Sequence, residues 1–281
     1  MSTFTEPFYA SSGDPFWVGL VDDAATFPPG DAPLDAALTA YADRAGPAAR
    51  LVRSLVVRDT DLPQVPAGTP VSVVLTGGAG QVHGPAQLCQ RRGLPVAGLE
   101  IALRDVDDPA GNARRVVAAV DAARGEGVLD EATPVFVELP AVDPAYSWLA
   151  AADEVAAAEL RLKLRTGGLD PDAFPTPERL AAWIDAALDR ELPFKCTAGL
   201  HRALPHVDAD GCAHHGFLTL LAATRVAFDG GSPADVVSTL RRGDATDLLT
   251  LDLAGARRWF TSFGSCSIDE PLADLRELVS L

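Results

Sequence analysis

Apolar runs of strand length alternate with Ala- and Leu-rich runs of helical period along this 281-residue chain, and that alternation leaves few folds open. The strand candidates are residues 17–21, 51–57, 71–75, 96–103, 135–139, 160–165, 194–197 and 259–265. Helix candidates follow them, clearest at 34–44, 113–124, 144–158, 176–190, 217–228 and 272–278. Asp or Pro opens several of these helices and Gly closes several. An Asp oxygen can accept from unpaired first-turn N–H groups, and Gly can take the left-handed exit. No repeat, low-complexity tract or long linker divides the chain. Eight strand–helix units at this length predict an α/β fold: a single (β/α)8 TIM barrel over 1–281, with an insertion after strand 7 at about 201–254. An open doubly wound sheet would need a glycine-rich phosphate turn after the first strand. The turn found there, Asp22-Asp23-Ala24-Ala25-Thr26-Phe27-Pro28-Pro29-Gly30, is not one.

Side chains alternate across a strand, so the apolar members fix which residues face inward. Leu99, Ile101 and Leu103 belong against the helices, which turns Glu100 into the barrel. Val135, Val137 and Leu139 likewise leave Phe136 and Glu138 inside, and Leu162 and Leu164 leave Arg161, Lys163 and Arg165. Lys195 and Thr197 share the inner face of the seventh strand, opposite Phe194 and Cys196. Neighbouring strands lie ~4.8 Å apart, so these charges must meet. Burying them costs several kcal/mol each unless they pair. They cluster toward the C-terminal strand ends, where barrel enzymes hold their chemistry. Phe136 and Trp17 are candidates for an apolar wall.

Lys163 and Lys195 are also the two lysines of a chain with 23 basic residues. Arg serves almost everywhere else. A lysine amine can lose its proton and form a Schiff base, and a guanidinium can do neither. A net charge of −16 spread along the chain argues against nucleic acid or an anionic membrane surface as partner. The apolar runs are far shorter than the ~20 residues of a membrane span. Residues 1–7 lack the features of a signal peptide, and Cys89, Cys196, Cys212 and Cys266 show no C-x-x-C spacing. A cytoplasmic protein with reduced thiols is expected.

Three segments, Lys163-Leu164-Arg165-Thr166-Gly167, Lys195-Cys196-Thr197-Ala198-Gly199-Leu200 and Phe263-Gly264-Ser265-Cys266-Ser267, then resemble those of the deoxyribose-phosphate aldolase type of class I aldolase. Lys163-Leu164-Arg165-Thr166-Gly167 is similar to the family's sixth-strand Lys-x-x-Thr-Gly. Lys195-Cys196-Thr197-Ala198-Gly199-Leu200 is similar to its seventh-strand Lys-x-Ser/Ala-Gly-Gly-Ile. Phe263-Gly264-Ser265-Cys266-Ser267 is similar to its eighth-strand Phe/Ile-Gly-x-Ser-Ser, and Asp22 to Pro29 faintly resembles its first-strand Asp-His-Thr-x-Leu-x-Pro. The resemblance implies a lyase in which Lys163 forms a Schiff base with a small carbonyl substrate. It implies that Lys195 lowers the nucleophile's pKa as a neighbouring cation. Glu100, where the family has Asp, and Glu138 would move protons. Asp22, Asp23, Arg165, Thr166, Gly167, Thr197, Gly199, Gly264 and Ser265, with His201 from the following loop, would hold an anionic or hydroxylated substrate. The departures are Glu100 itself, Ala198 in place of a glycine, Cys266 in place of a serine, and a stretch from His201 to Ala254 with no counterpart.

Four of the five histidines, His201, His206, His214 and His215, fall in that stretch with Asp208 and Asp210. Their spacing matches no structural zinc pattern, and Asp208-Ala209-Asp210-Gly211 lacks the rest of a calcium loop. No metal and no cofactor is assigned, and a loop over the barrel mouth with His201 or His214 reaching the substrate is expected. A metal-dependent hydrolase or isomerase using these histidines is the first alternative. A non-enzymatic barrel that binds a small ligand around an ionic core is the second. Assembly into a homo-oligomer is left open.

Overall fold

The computed structural model describes residues 15–208 and 211–279, so residues 1–7 and Asp210, weighed above, lie outside the described residues. The strands are β1 (Val21–Asp23), β2 (Val52–Arg58), β3 (Val71–Val74), β4 (Val96–Ala102), β5 (Val135–Glu138), β6 (Arg161–Arg165), β7 (Phe194–Thr197), the short pair β8 (His206–Val207) and β9 (Ala213–His214), and β10 (Phe260–Ser265). Eight of them close a barrel in the order β1-β10-β7-β6-β5-β4-β3-β2. Each neighbouring barrel pair is parallel, which requires a crossover between successive strands. Helices supply most of these: α1 (Leu34–Ala42), α2 (Gly46–Leu51), α3 (His83–Arg92), α4 (Pro109–Gly125), α5 (Tyr146–Ala157), α6 (Pro177–Leu188), α7 (Phe217–Phe228) and α8 (Pro233–Leu240), while α9 (Asp269–Val279) follows the last strand.

The core is the layer between strands and helices. Leu99 and Ile101 of β4 and Val135 and Val137 of β5 are buried outward, against the helix ring. From α4, Ala113, Val116, Val120 and Ala123 meet that layer at helical spacing. Truncating such a Leu or Ile to Ala costs about 2–5 kcal/mol. After β7 the chain forms the β8–β9 hairpin, then α7, whose residues from Phe217 to Thr224 are all buried. The smaller α8 follows, and 3-10 turns at Leu248–Thr250 and Leu253–Arg258 lead into β10. Among the described residues no helix is long and apolar enough to cross a membrane.

Several elements differ from the sequence expectation, which also lacked the short helices α2 and α8 and the β8–β9 pair. The first strand starts at Val21, because Pro15–Trp17 is a 3-10 turn and Gly19 has a left-handed φ of +63° that breaks the extended run. Trp17 is buried before the N-terminal end of β1, away from the strand ends that carry the charges. The helix α3 was not anticipated: it is polar, and only Ala86 and Cys89 are buried on it.

Candidate active site

Alternation on β4, β5, β6 and β7 puts Glu100, Glu138, Lys163, Arg165 and Lys195 on the inner side of the barrel, and β1 adds Asp22. Register makes them neighbours. Lys163 lies beside Glu138 on one side and Lys195 on the other. The result is a chain of alternating charges. Lys195 Nζ donates to Asp22 Oδ2 and Glu100 Oε1, each at 2.6 Å. Lys163 Nζ is 2.8 Å from Glu100 Oε2 and 3.0 Å from Glu138 Oε2. Arg165 Nε donates to Glu138 Oε1 at 2.7 Å. At the other end Ser54 and Ser262 donate to Asp22 at 2.7 and 2.8 Å, and Arg53 stands 3.5 Å away.

Pairing decides the protonation states. Burial alone would push the Glu100 carboxyl up; the Lys163 and Lys195 ammoniums outweigh it and hold the group far below its ordinary value. Burial opposes the charge on Lys163, yet Glu100 and Glu138 outweigh it and raise this amine well above an ordinary lysine. Asp22 and Glu138 are lowered in the same way, against burial, by Lys195 with Arg53 and by Lys163 with Arg165. The expected depression of Lys163 by Lys195 is therefore not what the geometry gives. Glu100 stands between the two amines and attracts both.

The lysines differ in access. A cavity of about 410 Å³ opens at the C-terminal end of the barrel, lined by Lys163, Glu100, Glu138 and Arg165. Its wall also takes in Thr197, Ala198, Gly199, His201, Gly264 and Cys266. Lys195 and Asp22, 1% and 0% exposed, lie beneath it. Phe136 sits deeper still, with the Lys195 amine 5.4 Å from its ring centre.

Other expected residues serve the scaffold. Asp23 turns away to Arg44 at 2.7 Å. Thr166 Oγ1 donates to the Ala198 carbonyl at 2.6 Å, tying β6 to the turn after β7. Gly167 permits close packing there: a Cβ on it would lie 3.0 Å from Gly199 Cα. Ala198 and Gly199 both have left-handed φ, +64° and +73°. Ser265 donates to the Ser267 carbonyl at 2.6 Å. His215 Nε2 meets the Pro175 carbonyl at 2.7 Å, and His214 belongs to the hairpin rather than to this cavity.

Residues outside the motifs complete the site. Arg104, just past β4, lines the mouth with Thr76 and donates to the Thr76 carbonyl at 2.6 Å. Its signal was a cation directly after a barrel strand. Ser54 and Ser72 were legible as lone small hydroxyls at inward positions of apolar strands, and Ser262 as an inward hydroxyl of the more polar β10. There Ser54 and Ser262 satisfy the Asp22 oxygens, and Ser72 stands 2.8 Å from Ser54.

Fold and site thus define a (β/α)8 barrel with a buried lysine–carboxylate cluster at its C-terminal mouth. No family model and no curated protein matches the chain. Among solved structures it is similar to the tetrameric deoxyribose phosphate aldolase from Aeropyrum pernix. The TM-score is 0.54 at 15% identity, over 95% of this chain and 94% of that one. The two chains share a fold.

Proposed function

We propose that this barrel is an aldolase-like lyase of the Schiff-base class, with Lys163 as the nucleophile. The observation that supports it is the placement of Lys163. It is the lysine that lines the cavity, and two carboxylates lie within proton-transfer distance of its amine. In the ligand-free site Lys163 is an ammonium and cannot attack. The proton must pass to Glu100 or Glu138, helped when an incoming polar substrate takes up part of their charge. The neutral amine then adds to the substrate carbonyl carbon. The protonated glutamate returns its proton to the carbinolamine hydroxyl, and water leaves. The iminium so formed accepts the electron pair of the adjacent C–C bond as a carboxylate removes the proton from the β-hydroxyl. Protonation of the enamine and hydrolysis release the second product and restore the amine.

Lys195 acts through Glu100. Held between Asp22 and Glu100, it keeps the catalytic carboxylate ionised and in place, so it is a positioning residue. Arg165 and Arg104 at the mouth suit a substrate with an anionic group, despite the chain's negative charge. The assembly of the matched aldolase favours a homo-oligomer, which light scattering would measure.

Borohydride treatment with a panel of aldehydes and ketones, followed by peptide mass analysis, tests the proposal. Reduced adduct is expected on Lys163 and not on Lys195. Lys163→Arg keeps the charge but cannot form an imine, so trapping should vanish. No adduct with any carbonyl compound, in a protein whose Lys163→Arg variant binds ligands normally, would leave an ionic core without chemistry.

A further inference from the structure

The β8–β9 hairpin carries a second cluster that the barrel chemistry does not use. Antiparallel pairing sets His206 opposite His214, and their rings stack with centroids 4.9 Å apart. Asp208 follows His206 by two residues and so returns to the same side of the strand. One ligand atom from each of the three lies within 4.8 Å of the others. Asp208 Oδ1 is 3.3 Å from His206 Nε2, and Oδ2 is 3.0 Å from His214 Nε2.

The opposite ring nitrogens set the tautomers. His214 Nδ1 lies 3.1 Å from the Gly199 carbonyl oxygen, and His206 Nδ1 lies 3.4 Å from that of Leu204. A carbonyl oxygen can only accept, so each Nδ1 carries a hydrogen. In the neutral rings both Nε2 lone pairs then lie close beside the carboxylate, at 3.3 and 3.0 Å from its oxygens. Such a trio repels itself unless a cation sits within it. His214 is only 8% exposed, and its buried Nε2, though 3.0 Å from the Asp208 carboxylate, forms no well-aligned hydrogen bond among the described residues. Two imidazoles backed by carbonyls, with one carboxylate, are a donor set suited to zinc and similar borderline ions.

We propose that His206, Asp208 and His214 bind one divalent transition-metal ion, zinc foremost, through the two Nε2 atoms and an Asp208 oxygen. Ligand atoms around tetrahedral zinc stand roughly 3.3 Å apart, so the widest separation in the trio closes by up to about 1.5 Å. Asp208, with its side chain 49% exposed, is the member free to move. Through His214 the ion ties the hairpin to the Gly199 carbonyl, in the turn that follows β7. The site stands whether or not Lys163 forms a Schiff base.

The test uses tag-free full-length protein stripped with chelator and then dialysed. Calorimetric titration with Zn2+ and visible absorption with Co2+ report on binding directly. One ion per chain, a tetrahedral cobalt spectrum and a Zn2+-dependent rise in Tm are expected. His206→Ala and Asp208→Asn should each weaken binding at least about tenfold. Lys163→Arg should bind zinc like the wild type, which separates this site from the proposed lyase centre. Asp208→Asn alters a half-exposed side chain, so it remains an interpretable variant if His206→Ala fails to fold. Absence of saturable zinc or cobalt binding would mean that a proton alone fills the cluster, and the proposal fails. It fails equally if Asp208→Asn leaves affinity and the cobalt spectrum unchanged.

Discussion

The ionic chain inside the barrel and the histidine cluster on the hairpin are both groups of titratable side chains near the same mouth, and they solve the problem of charge in opposite ways. Inside, Lys195, Glu100, Lys163, Glu138 and Arg165 alternate in sign, and each touches an opposite charge. On the hairpin, two lone-pair nitrogens and a carboxylate converge with no fixed cation. A completed chain locks its protonation states and must be opened to react. An incomplete cluster is stable only when something from outside completes it. Closeness of ionisable groups is therefore not by itself a sign of reactivity, and the sum of charges around each atom separates the two cases.

The largest expected effect comes from opening the chain at its most buried link. Lys195→Met removes the ammonium that Asp22 and Glu100 share and leaves two carboxylates buried against each other. A loss of about 3–5 kcal/mol is expected in urea unfolding. Asp208→Asn in metal-free protein should change stability by no more than about 0.5 kcal/mol, since that carboxylate is half in solvent. Equal losses in the two variants would erase the distinction between closed chain and open cluster. Lys195→Arg, which keeps the cation, should fall between wild type and Lys195→Met in both stability and borohydride trapping.

Acid comes next. The folded-state pKa values of Asp22, Glu100 and Glu138 lie below their ordinary ones. Their stabilisation is therefore complete above the unfolded carboxylate range, near pH ~4–4.5, and is lost as pH falls through the lowered folded values. Lys163 has the opposite sign. Its folded value is raised, so its contribution is present below the ordinary lysine value near ~10.4 and is lost only in stronger alkali. The ionic chain's contribution should hold a plateau between about pH 5 and pH 10 and decline on the acid side below it, while the buried His215 imidazole and the Cys89 and Cys196 thiols, held neutral by burial, narrow the plateau of the whole metal-free protein from both sides. Glu100→Gln should flatten that acid decline. An unchanged acid slope in Glu100→Gln would show that the chain does not control the protonation of the barrel.

These two regions differed just as much in how far the sequence disclosed them. Period-two alternation was enough to turn Glu100, Glu138, Lys163 and Lys195 inward, because each strand has an apolar face that fixes the other. Alternation says less at strand ends, which is why Asp23 and Ser265, expected in the site, bond to the scaffold instead. It says nothing past the strands, which is why Arg104 was missed. The direction of the Lys163 shift depended on which of its neighbours stood closest, and only register and side-chain reach settle that. The histidine trio was hidden because its spacing is set by a hairpin, not by a helix or a known ligand motif. Pairing of His206 with His214 across the turn supplies what linear spacing does not.

The smallest expected effect lies where the two regions join. The turn after β7 accepts a hydrogen bond from Thr166 at the Ala198 carbonyl, and the Gly199 carbonyl meets the His214 ring. Ala198 holds a left-handed φ of +64° within it. For a residue with a Cβ that conformation costs roughly 1–2 kcal/mol. Replacing it by glycine relieves that strain but adds freedom to the unfolded chain worth roughly 0.4–1 kcal/mol. The balance is a gain of between zero and about 1.6 kcal/mol, or a Tm higher by up to about 4 °C. Ala198→Gly keeps both carbonyls and removes a Cβ from the cavity wall. If ionic chain and hairpin are independent devices, trapping at Lys163 and zinc affinity should both stay within about twofold of the wild type, a change of roughly 0.4 kcal/mol. A parallel shift in both would mean that strain at Ala198 couples them, so that an ion on the hairpin bears on the geometry of the barrel mouth. A shift in trapping alone would instead locate the effect at the lost methyl group, where the anionic end of a substrate would pass.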